Sequence, residues 1–134
     1  MKHEGLRGYP RYKIVLTVEI MSAEMNRDNP DKPPLRFESV TQDISLGGVR
    51  IDLKDKAKGL NGPGKPSWFQ DRYFWIHIRD IPTLREGLYS KAKVVNIESD
   101  QEGLPSSIGM EFQELMKSVI KNLKEYLDTL SRFE

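Results

Sequence analysis

Two arginines stand four apart in Arg7-Gly8-Tyr9-Pro10-Arg11. Pro10 disfavours a helical Tyr9, so the pair lies on an extended or turning lead-in rather than on one helix face. A guanidinium can grip a phosphate through its planar fork and also stack on an aromatic base, and two of them on one approach segment can converge on one ligand. By spacing alone, solvated surface arginines are the simpler reading. A second group is Asp43-Ile44-Ser45-Leu46-Gly47-Gly48. Asp43 offers acceptors, Ser45 a hydroxyl, and the glycines permit tight backbone geometry. Asp43 and Ser45 alternate with Ile44 and Leu46, so the polar pair shares one face. Taken alone, this group reads as a turn whose side chains cap backbone groups.

The elements that must position these residues are short and alternating. The spacing predicts strands over Ile14–Met21, Leu35–Thr41, Val49–Leu53, Tyr73–Ile78, Ser90–Ile97 and Ile108–Phe112. Asn26–Pro34 and Lys54–Pro66 carry the Pro, Gly and Asn of loops, and Gly103-Leu104-Pro105 marks a turn. Met116, Val119, Ile120, Leu123, Leu127 and Leu130 recur at helical spacing, predicting an amphipathic tail helix over about residues 114–132 that packs on the barrel or pairs with a partner. Six strands and a helix at such short spacing predict a small antiparallel barrel or sandwich closed by that helix.

Composition narrows the chemistry. The chain has 134 residues, 21 Lys+Arg against 20 Asp+Glu, two His and no Cys. That length suits one domain with a modest core. The missing cysteines exclude disulfides, thiolate nucleophiles and cysteine-based metal sites, and His3 and His77 do not make a histidine-rich centre. Near-neutral charge argues against a bulk DNA or RNA binder. Locally the charge is uneven: residues 1–13 hold Lys2, Arg7, Arg11 and Lys13 against Glu4, whereas Ile97–Met116 holds five acidic residues and no basic one. No apolar run is long enough for a signal peptide or a membrane helix, which sets a cytoplasmic expectation.

Together, Arg7-x-x-x-Arg11 before the first strand and Asp43-x-Ser45-x-x-Gly48 after the second resemble the PilZ domain family, bacterial receptors for cyclic di-GMP. Ala92–Val95 and Ser107–Phe112 resemble that family's last strands, and the likeness spans roughly residues 5–130. It implies one PilZ-like domain over residues 1–134. A flexible basic segment, 1–11, would precede a six-stranded split barrel over about 12–113 and a C-terminal helix over about 114–132. It also implies a ligand site in which Arg7 and Arg11 hold phosphates and guanine faces, Asp43 and Ser45 meet a guanine, and Gly48 keeps the wall clear. Leu6, in place of a further arginine, leans toward one ligand molecule per chain.

The expected function is a receptor or adaptor that orders its basic segment on binding and signals through a separate downstream protein, as a monomer or as a homodimer through the tail helix. Alternatives are a PilZ-fold adaptor with weak or no nucleotide binding, and a small-barrel nucleic-acid binder using the aromatic cluster Trp68, Phe69, Tyr73, Phe74 and Trp75. Core and rim packing is the simpler account of that cluster. His77 has no ligating partner nearby in sequence. Glu98, Asp100 and Glu102 lack the glycine and terminal glutamate of a calcium loop. The chain shows no nucleophile elbow, P-loop or dinucleotide fingerprint, so no enzyme, cofactor or metal is expected.

Overall fold

The computed structural model describes residues 9–22, 36–53, 72–103 and 105–130. Seven strands run in chain order as β1 (Tyr12–Lys13), β2 (Thr17–Ser22), β3 (Arg36–Ile44), β4 (Gly48–Asp52), β5 (Tyr73–Ile78), β6 (Leu88–Ser99) and β7 (Pro105–Gln113), followed by helix α1 (Lys117–Leu127). They form one antiparallel sheet in the order β1-β3-β2-β5-β6-β7-β4. A further β3–β4 pairing closes β2 to β7 into a six-stranded barrel, leaving β1 as an extra strand on β3.

Alternation makes the barrel. Phe74, Ile76 and Ile78 of β5, Leu88, Ala92 and Val94 of β6 and Val49 and Ile51 of β4 point inward and are buried, while their neighbours face out. Fully burying each large apolar side chain contributes about 1.5–3 kcal/mol. Leu123, Tyr126 and Leu127 of α1 join the same core, and the Thr83 hydroxyl donates to the Asn122 carbonyl. The helix therefore packs on its own barrel. It is shorter than its periodicity suggests: Asp128 N–H returns to the Lys124 carbonyl and Thr129 N–H to the Tyr126 carbonyl, so Leu130 lies beyond the last turn. Met116 and Ile120, expected on the apolar face, are exposed.

The expected first strand, Ile14–Met21, begins only at Thr17, and a short β1 stands before it. Between β1 and β2 the backbone leaves the ladder and is held by Thr41, whose hydroxyl donates to the Ile14 carbonyl and accepts from Leu16 N–H at 2.6 and 2.9 Å. Thr41 N–H also donates to the Leu16 carbonyl. One threonine thus replaces the strand pairing of a three-residue passage. Expected strand ends also move: β3 runs on through Asp43 and Ile44, and Gly48 already belongs to β4, so the connecting turn is only Ser45-Leu46-Gly47. At the β6–β7 turn Gly103 adopts φ +84°, and Asp100 accepts from Glu102 N–H, which gives the acidic stretch a structural role.

Candidate functional site

The site is built by a register. β1 pairs antiparallel with β3, Tyr12 opposite Ile44 and Lys13 opposite Asp43. The inward residues Tyr12 and Ile44 anchor this pairing in the core, and Arg11, the residue before Tyr12, lies close enough for its charge to act on Asp43. On its other side β3 pairs with β4, where a bulge between Thr41 and Asp43 sets Asp43 opposite Arg50 and Ile44 opposite Val49. Asp43 is therefore flanked by cationic residues on both neighbouring strands.

Asp43 is only 5% exposed. Burial pushes its carboxyl above the ordinary aspartate range; the charges of Arg11 and Arg50 pull it back, and Glu98 adds a smaller upward push. Arg50 Nε lies 3.8 Å from Asp43 Oδ2, an ion-pair distance but longer than a hydrogen bond. The far side of the same guanidinium is anchored on β6, with Nη1 3.3 Å from Asn96 Oδ1 and 3.6 Å from Glu98 Oε2.

Ser45 stands at the hairpin tip. Its hydroxyl is buried and accepts from the backbone N–H groups of Gly47 and Gly48 at 3.1 and 3.2 Å, while Ser45 N–H donates to the Gly48 carbonyl. Gly48 opens β4 opposite Glu111 of β7. Among the described residues the positive-φ glycines are Gly87 and Gly103, neither of them in this turn. The turn is thus secured by the Ser45 side chain rather than by left-handed glycine. Arg11, Asp43, Ser45 and Gly48 lie along one connected edge of β1, β3 and β4. Arg7 and Leu6 lie outside the described residues.

Arg50 was not singled out by its sequence position. It reads there as an ordinary outward residue alternating with Val49 and Ile51; its place seven residues after Asp43 would have been the only available signal, and the bulge gives that spacing its meaning.

The aromatic cluster does not form one platform. Phe74 is in the core, whereas Tyr73 and Trp75 face out on β5, where Tyr73 carries the ammonium groups of Lys91 and Lys93 at 5.1 and 5.8 Å from its ring centre. They line an open groove of about 390 Å³ with Tyr89, Gln113 and Met116. Trp68 and Phe69 lie outside the described residues. His77 stacks on Tyr89 at 3.8 Å, with Nε2 2.8 Å from the Glu86 carbonyl oxygen. Among the described residues no acidic or histidine cluster could hold a metal ion, and no helix is long and apolar enough to cross a membrane.

The chain is a closed six-stranded barrel with a helix packed on it, an extra strand at its edge and a buried aspartate between two arginines. The PilZ domain family model matches residues 6–129, and the chain belongs to that family. It shares its fold with the inhibitor of motility MotI/DgrA of Bacillus subtilis (TM-score 0.59, 21% identity, covering 92% of this chain and 50% of that one). The PilZ domain of YcgR from Escherichia coli, solved with c-di-GMP, matches at TM-score 0.58 and 19% identity over 93% of this chain and 91% of that one. The K. pneumonia MrkH–c-di-GMP complex matches at TM-score 0.57 and 13% identity over 90% of this chain and 50% of that one. The chain thus spans half the length of the MotI and MrkH chains. No curated protein matches it significantly.

Proposed function

We propose that this chain is a cyclic di-GMP receptor or adaptor, with Arg7, Arg11, Asp43, Ser45 and Gly48 as its ligand-binding residues. The observation that carries the reading is the β1–β3 register, which brings Arg11 near a buried aspartate. An ionised Asp43 accepts the N–H groups of a guanine edge, and the arginine fork takes a phosphate or stacks on the base. Ser45 acts chiefly by holding the turn that presents Asp43. Family membership and the ligand named for the YcgR and MrkH structures support the same chemistry.

Binding draws the lead-in onto the barrel edge and alters the surface offered to a downstream protein. The chain acts in the cytoplasm, without catalysis or cofactor, and takes one ligand molecule. A micromolar dissociation constant corresponds to about −8 kcal/mol, within reach of a few charge-assisted hydrogen bonds of roughly 1.5–3 kcal/mol each.

The test is a calorimetric titration of wild type and Arg11→Ala with cyclic di-GMP. Saturable binding by wild type, weakened about tenfold to a hundredfold in the folded variant, is expected. A wild type that does not bind would leave an interaction adaptor without nucleotide control; equal affinities would remove Arg11 from the site.

A further inference from the structure

Arg50 faces outward on β4, yet its side chain is only 15% exposed. The reason is what lies beside it. Gly109 of β7 is the register partner of Arg50 on one side and of Asn96 on the other. With no side chain at Gly109, the guanidinium can lie across β7 and reach Asn96 and Glu98 on β6. Both anchors are made by Nη1, and the Nε edge faces Asp43.

Asp43 and Arg50 thus stand side by side as an acceptor and a donor, 3.8 Å apart and not hydrogen-bonded to one another. Guanine presents the complementary pair on one edge, with the N1–H donor adjacent to the O6 acceptor. Adenine has the reverse order there, with the N6 amino donor beside the N1 acceptor. An acceptor–donor couple of fixed order and this spacing therefore matches guanine and sets donor against donor with adenine. Arg50 is held by its far side, so this fork is positioned before any ligand arrives.

We propose that Arg50 is a specificity-determining residue of the ligand site, donating to O6 of the guanine whose N1–H is accepted by Asp43. The inference rests on the cyclic di-GMP reading and extends it from affinity to base identity. An arginine serving only to balance the Asp43 charge would act on every ligand alike, whatever atom occupies position 6.

The test combines a change in the ligand with a change in the protein. The full chain is titrated with cyclic di-GMP and with its analogue carrying sulfur at both 6 positions, a poor hydrogen-bond acceptor. Wild type loses affinity for the analogue by about tenfold or more. Arg50→Met loses a similar factor toward cyclic di-GMP and little further toward the analogue, because the two changes remove the same bond. Arg50→Lys, which keeps the charge without the fork, also fails to separate the two ligands. Multiplicative losses in Arg50→Met overturn the assignment. So does an unchanged wild-type affinity for the analogue, a result that needs no folded variant. If wild type binds neither ligand, the receptor reading falls and this inference with it; if wild type binds cyclic di-GMP and the losses multiply, only the role of Arg50 falls.

Discussion

Tyr12 stands opposite Ile44 across the β1–β3 ladder, both side chains in the core, and this pairing carries Arg11 to the edge where Asp43 waits. Arg11 and Asp43, more than thirty positions apart, are brought together by two side chains packed in the core. Their packing sets the geometry; the charges use it.

If ligand binding draws the lead-in onto the barrel, the amides of Tyr9, Arg11, Tyr12 and Lys13 exchange more slowly with saturating cyclic di-GMP than without it. Hydrogen exchange read by mass spectrometry or NMR checks this. Equal protection in both states would leave binding without the proposed ordering.

The raised pKa of Asp43 has two consequences of opposite sign. The proton is held more tightly in the folded chain than in the unfolded one. Wild type therefore gains stability relative to Asp43→Asn at low pH, and loses that gain as pH rises through the folded value. If the Asp43 carboxylate accepts the guanine edge, cyclic di-GMP affinity falls as pH drops through the same window, which opens above the ordinary aspartate value of 3.8. Burial raises that window most, Arg11 and Arg50 pull it back, and Glu98 on β6 adds a smaller upward push. Titrations from neutral to mildly acidic pH, with Asp43→Asn lacking the step, read the second effect. A flat wild-type profile contradicts the role of the ionised carboxylate.

Ser45→Ala separates a turn cap from a ligand contact. Losing the hydroxyl frees the N–H groups of Gly47 and Gly48 and lowers stability by about 1–2 kcal/mol, measured by urea unfolding. Its effect on affinity is smaller than that of Arg11→Ala. A fully stable variant with abolished binding would instead make the hydroxyl a direct contact.

Thr41→Val keeps the shape but removes both hydroxyl bonds to Ile14 and Leu16. With two buried backbone partners released, the variant is destabilised by about 1–3 kcal/mol. Because this passage leads from β1 into β2, cyclic di-GMP affinity also weakens under conditions where the variant remains folded. Unchanged thermal stability would show that water or another group replaces the hydroxyl.

Much of the barrel was legible in local pattern. Tyr73–Ile78 alternates so regularly that the structure returns the strand with the same bounds, and Val49 and Ile51 point inward as their spacing suggests. Strand ends and breaks were less legible. β6 extends to Leu88 and Ser99 because its pairing with β5 and β7 continues past the apolar run. The gap between β1 and β2 depends on Thr41, some 25 residues away in sequence, which no window over residues 12–22 contains.

The sequence by itself determined the inward and outward faces of most strands, the amphipathic tail, and the residue types able to meet a guanine and a phosphate. Those follow from side-chain period and chemistry, which are local. The tertiary structure decided which charges share the site. The bulge before Asp43 turns Arg50 toward it, and Gly109 lets that arginine reach β6. Register is a contest among distant apolar pairings, settled only when the core closes; a slip of one residue would turn Asp43 away from the face it shares with Arg50.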